Sequence, residues 1–203
     1  SDVYKRQDTW PQVEIEKIES MQSFHEIAEY IVPFFTASSF SEQETHKVLK
    51  DAWHDFEIES LIKIKSFNNY SILELFHGPT AAFKDFGLQL AAAFFNEILN
   101  QENKTALVLG ATSGDTGSAA IDSCKKYSRI KSFIMLPNGN MSQIQRRQMT
   151  TVMSENVRAI RVNGTFDDCQ DLVKQAFKVR DFLNNDQYLL CLLYTSDAAD
   201  EVR

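Results

Sequence analysis

Glycine (7), proline (4) and cysteine (3) are all scarce in this 203-residue chain. With so little glycine and proline, no low-complexity linker or internal repeat is visible. Cys124, Cys169 and Cys191 are odd in number and widely spaced, with no Cys-x-x-Cys pair. That excludes a disulfide framework or a zinc site, and the three are expected to be buried thiols of a reducing, cytoplasmic compartment. Positive charge is also in deficit: Lys+Arg number 21 against 28 Asp+Glu, giving a net charge of -7 and a pI near 5.1. A nucleic-acid partner is therefore not expected. No apolar run is long enough to span a bilayer, so no membrane partner is expected either. The first residues lack the basic start and apolar centre of a secretory signal.

What is present is ordinary for a soluble globular protein: 43% hydrophobic and 24% charged residues, in a chain long enough to bury a core. The two ends read differently from the rest. "SDVYKRQ" (Ser1 to Gln7) and "CLLYTSDAADEVR" (Cys191 to Arg203) continue no neighbouring periodicity and resemble translated sequencing-adapter DNA. Residues 1–7 and 191–203 are therefore set outside the fold. The expected divisions are a helical N-terminal region over 8–66 and an α/β region over 67–190.

In the first region, Phe24, Ile27, Ile31 and Phe35 fall on one helical stripe, with Ser23 as cap, and Ser41 stands at capping-box spacing from Glu44. "IKIKSF" alternates as a short edge strand would. From about Tyr70 the rhythm changes. "SILELF", "TALVLG", "IKSFIML" and "VRAIRV" read as strands, separated by the helical segments "GLQLAAAFFNEILN", "GSAAIDSCKKY" and "MSQIQRRQMTTVM". "GTFDDCQDLVKQAFKVRDFL" follows as a turn and a long helix. Strands alternating with helices over short connections predict an α/β fold with a parallel, doubly wound sheet.

Within it, Leu107 to Ala120 ("LVLGATSGDTGSAA") contains the string Asp-Thr-Gly-Ser known from aspartic proteases. Those enzymes are all-β and need two carboxylates sharing a proton, whereas Asp-Thr-Gly occurs once here and runs into a helix. A Walker phosphate loop is excluded as well, because no Lys lies in the segment. What remains is an apolar strand entering a Gly/Ser/Thr loop at a helix start. Such a loop suits anion binding through backbone N–H groups, and read alone it suits a plain turn with a helix cap equally well. "HGPTAAFKDFG" (His77 to Gly87) places Lys84 between Phe83 and Phe86 at a second strand-to-helix junction. Lys84 is either a surface residue whose stem lies on the rings or an amine made nucleophilic by desolvation.

Four segments in order carry a resemblance: "HGPTAAFKDFG", "GATSGDTGSAA", "PNGNMSQIQRRQMTT" and "VNGTFDDCQDLV". Together they closely resemble the threonine synthases, pyridoxal-phosphate enzymes of the tryptophan-synthase-β type (fold type II), from about Trp10 to Asn185. The resemblance implies that Lys84 forms a Schiff base with pyridoxal 5'-phosphate and later shuttles protons. It implies that Phe83 and Asp115 lie beside the cofactor, and that Thr112, Ser113, Gly114 and Thr116 bind the substrate carboxylate. It implies conversion of O-phospho-L-homoserine and water to L-threonine and phosphate, by γ-elimination and then β-addition of water, in a monomer or homodimer. Ser142, with Gln145 and Arg146, is a candidate for the substrate phosphate; the alternative is that Ser142 caps a helix while Arg146 and Arg147 are solvated.

His77 is either a cofactor neighbour or a hydrogen-bonded turn residue. Asp85 is expected to orient the Lys84 segment or cap its helix, and Thr165 with Asp168 to cap another. The family's Gly-Asn-rich phosphate loop and its partner for the pyridine nitrogen are not found in this sequence. The chain is accordingly expected to be truncated, holding the cofactor poorly or not at all by itself. A related phospholyase, a hydroxyamino-acid dehydratase and a non-catalytic α/β fragment stay open as alternatives.

Overall fold

Capping decides where the first helices begin. A computed structural model describes residues 10–139, 141–179 and 182–192. Segment 1–7, Asn140 of the "PNGN" turn, and 193–203 of the C-terminal segment lie outside the described residues. Helix α1 (Ile15–Ser20) is followed by α2 (Phe24–Ile31), where the Ser23 side chain accepts from the Glu26 N–H. Helix α4 (Glu42–Ala52) opens with the full Ser41/Glu44 capping box. The stripe expected through Phe35 does not hold. Pro33 starts a separate helix, α3 (Pro33–Thr36), as proline does at a first helical position, and Phe35 is left exposed.

Strands β1 (Lys63–Phe67) and β2 (Tyr70–Glu74) pair as an antiparallel hairpin, a two-stranded sheet of its own. "SILELF" thus joins no parallel sheet, and the hairpin crosses the division drawn at 66. All of β1 and four of the five residues of β2 are exposed.

The main sheet holds β3 (Thr105–Ala111), β4 (Ile130–Pro137), β5 (Val157–Val162) and β6 (Gln187–Leu192), all parallel, in the order β5-β4-β3-β6. The sixth strand is absent from the sequence expectation, which ends the fold at residue 190; it pairs as far as Leu192 with Gly110. Helices α5 (Lys84–Gln101), α6 (Asp115–Lys125) and α7 (Gln143–Thr150) lie on one face, and α8 (Phe166–Lys178) on the other. Side chains divide with the two-residue period of a strand. Ala106, Val108, Ile130 and Ile134 enter a core with α4, α5 and α6, while Leu109, Ala111, Phe133 and Met135 pack against Cys169 and Val173 of α8. Cys124 and Cys169 are buried as expected, but Cys191 is exposed because β6 is the last strand on its side of the sheet. No helix among the described residues is long and apolar enough to cross a membrane.

The chain winds outward from β3 to β4 and β5, then crosses back to place β6 on the other side of β3. The carboxyl end of β3 is therefore a topological switch point, where open α/β sheets bind ligands. The turn from α6 into β4 is held by Asn156, whose Nδ2 lies 2.9, 2.9 and 2.8 Å from the carbonyls of Cys124, Tyr127 and Ile130. Asn156→Ala leaves these carbonyls without that donor. It is expected to lower unfolding stability by about 1–3 kcal/mol, measured by denaturant titration.

Candidate active site

Helix α5 runs back toward the amino end of β3, and α6 runs back from its carboxyl end. Both helices are thus antiparallel to β3 and packed on each other, so their N-termini share the switch-point end of the sheet. Lys84 is the first residue of α5, and Asp115 the first of α6.

Lys84 is 6% exposed, with its Nζ 5.3 Å from the centroid of the half-exposed Phe83 ring. The loop ahead of it is built around Asp85, which is fully buried. Its carboxylate accepts the Thr80 N–H at 2.9 Å and the Thr80 hydroxyl at 2.7 Å. Gly78 packs so closely on Asp85 that a β-carbon there would overlap the carboxylate. Ala81 takes a left-handed φ of 57°, a conformation a non-glycine residue keeps only when its surroundings hold it. Asp85 therefore orients the Lys84 segment from inside the loop. Burial raises its carboxyl above the usual range, against the lowering effect of the Thr80 bonds. His77 lies outside this arrangement, with its Nε2 3.1 Å from Glu74 Oε2. Lys65 and then His77 hold the Glu74 carboxyl below its ordinary range. That is the hydrogen-bonded-turn reading of His77.

The second loop is fixed by Thr112. Its hydroxyl accepts the N–H groups of Gly114 and Gly117, each at 3.1 Å, and donates to the Gly114 carbonyl at 3.1 Å. Gly114 stands at the N-cap of α6 with no side chain to offer, and Thr112 does the capping instead. Thr112 is 1% exposed, and its hydroxyl shapes the loop from within. Ser113 is exposed at the loop tip, Gly114 and Asp115 are partly exposed, and Thr116 is buried. Gly117 has a packing reason: a methyl there would run into Thr112 Cγ2 and Met149 Sδ.

Ser142 caps α7 by accepting the Gln145 N–H at 3.2 Å, and Arg146 and Arg147 are exposed. Both ends of the Gln145 amide are engaged, Oε1 by the Ser142 hydroxyl and Nε2 by Asp115. The Ser142, Gln145 and Arg146 group therefore presents capping and loop contacts, with Ser142 and Arg146 exposed and Gln145 partly buried. Thr165 and Asp168 form a complete capping box on α8. Sequence reasoning did not single out Gln148, whose Nε2 donates to the Thr80 carbonyl at 2.9 Å. No spacing rule links it to a residue 68 positions earlier. Among the described residues no group of His, Cys, Asp and Glu could hold a metal ion.

Residues 61–198 match the sequence profile of the pyridoxal-phosphate-dependent enzymes. The chain belongs to that family. Among family members, the threonine synthase of Pseudomonas aeruginosa is 40% identical over 176 residues, covering 85% of this chain and 38% of its own length. That of Schizosaccharomyces pombe is 45% identical over 166 residues, covering 77% and 32%. A structure of pyridoxal-phosphate-bound threonine synthase from Brucella melitensis superposes with a TM-score of 0.82 at 35% identity, over 90% of this chain and 40% of that one. The yeast threonine synthase structure gives 0.81 at 36% identity, over 93% and 39%. The chain thus spans less than half the length of these family members. The fold type II expectation, with its parallel sheet, agrees with both structures.

Two outcomes are expected of this geometry. Gly117→Ala displaces Thr112 and Met149 and costs about 1–3 kcal/mol, read as a lowered thermal midpoint. Asp85 has a raised folded pKa, so it favours the folded state most below its unfolded value of about 3.9. That contribution is lost as pH rises through the folded value. The stability difference between wild type and Asp85→Asn is expected to move in favour of the variant over that rise, measured by unfolding at a series of pH values.

Proposed function

We propose that this chain carries the lysine-bearing half of a threonine synthase active site, acting on O-phospho-L-homoserine and water to give L-threonine and phosphate in a cytoplasmic enzyme. The observation that carries the reading is the pairing of a buried Lys84 with the Ser113 loop at one end of β3, in a chain 40–45% identical to threonine synthases over most of its length.

The residues fit a lysine-linked aldehyde cofactor. Lys84 lies at a loop-to-helix junction beside the half-exposed face of Phe83, which supplies an apolar wall for a planar ring. The start of the eleven-residue α6, with Ser113 exposed before it, favours an anion through its N-terminal dipole. Pyridoxal phosphate, when bound, supplies an electron sink for carbanion chemistry. Lys84 Nζ would hold it and would be the base that takes the proton from the substrate α carbon and moves protons at the β carbon. Asp85 keeps that amine in place by holding the loop before it. Ser113, Gly114 and Thr116 hold the substrate carboxylate, with Thr112 shaping their loop. Asp115, the first residue of α6, would face the cofactor. Ser142 and Arg146 remain the candidates for the substrate phosphate, Arg146 as the exposed cation.

The test uses the full-length protein. Wild type is expected to give a visible absorbance band with pyridoxal phosphate and a covalent adduct at Lys84 after borohydride reduction. Lys84→Ala is expected to give neither, and no threonine from O-phospho-L-homoserine. Phosphate release without threonine would replace this reading with a phospholyase. Adduct formation in Lys84→Ala would sink it.

A further inference from the structure

Helix α7 carries two glutamines three residues apart, on one helical face, and each reaches a different loop. Gln145 Nε2 donates to Asp115 Oδ1 in the first turn of α6. Gln148 Nε2 donates to the carbonyl of Thr80, in the loop that leads into Lys84, at 2.9 Å. Met149, next after Gln148, is buried and packs against Gly117, which seats the helix. The Ser142 hydroxyl donates to Gln145 Oε1 at 3.0 Å and so turns the amide nitrogen toward Asp115.

We propose that Gln145 and Gln148 are positioning residues, and that α7 is a strut fixing the spacing between the Lys84 loop and the Asp115 loop. The inference rests on reading Lys84 as the cofactor-bearing amine. The packing of α5 on α6, with a buried hydrogen bond from Gln89 Nε2 to Asp122 Oδ2 at 2.8 Å, also joins the two helices, but it acts within their bodies, more than a turn beyond Lys84 and Asp115, and leaves the loops ahead of them to α7. Hydrogen bonds are directional, and two of them from one helix impose a single register. Neither glutamine touches a reacting atom in this role.

A strut has two ends, and cutting either one releases the spacing. Cutting both then adds little. Two local bonds that merely stabilise their own loops would instead have multiplying effects.

The experiment compares wild type, Gln145→Met, Gln148→Met and the double variant in the full-length protein, with pyridoxal phosphate affinity read by absorbance titration. Each single variant is expected to weaken binding about tenfold, the scale of one buried hydrogen bond. The double variant is expected to match the weaker single variant, and Gln148→Lys, which restores a donor to the Thr80 carbonyl, to recover affinity. A double loss equal to the product of the single losses overturns the strut. So do single variants of unchanged affinity. A wild type with no Lys84-dependent band defeats the underlying reading instead. If the double variant does not fold, amide hydrogen exchange decides: Gln148→Met is expected to speed exchange at Gly114 and Gly117, in the loop it does not touch. Unchanged exchange there overturns the proposal.

Discussion

The whole candidate site depends on two helices lying side by side in the same direction. Helices α5 and α6 flank β3 in sequence, both run against it, and both occupy the same face of the sheet. Ala92 and Ala93 on α5 and Ala120 on α6 belong to one buried cluster, and short side chains let two helix backbones come close. Chain direction then does the rest. A parallel strand with a helix before and a helix after must bring both helix N-termini to its carboxyl end. Lys84 and the Ser113 loop are neighbours for that reason, before any specific contact between them is considered.

Local interactions were the legible part of the fold. Ser23, Ser41, Ser142 and Thr165 cap their helices as spacing suggests, because a cap needs partners only three residues away. The βαβ rhythm was legible too, since burial on two faces imposes its periodicity on every strand. A stripe carried through Pro33 misplaces Phe35, because proline restarts the helix there. Strand β6 is hard to read because its partner, β3, lies far back in the chain. The hairpin is hard to place because alternation identifies a strand without identifying its neighbour.

At the candidate site the same divide appears. Lys84 and the Gly/Ser/Thr loop stand out in sequence, because strand-to-helix junctions leave a local signature. The roles inside those loops do not. Thr112, implied by resemblance to bind the substrate carboxylate, also caps a helix whose own N-cap is glycine, which spacing does not announce. Gln145 reads as a phosphate donor, yet its amide is held by Asp115 and Ser142. These assignments depend on which way a side chain turns in three dimensions, and composition and spacing are blind to that.

The cysteines bear on the chemistry in a way their burial alone does not suggest. Burial pushes the Cys124 thiol up to about 11, and it raises Cys169 and Cys191 as well. At neutral pH a thiol of pKa 11 is ionised in only about one molecule in ten thousand. The Cys124 thiolate, the sulfur species that would attack a carbonyl carbon, is therefore almost absent. The same desolvation that builds the core thus removes Cys124 as a thiohemiacetal trap for an aldehyde.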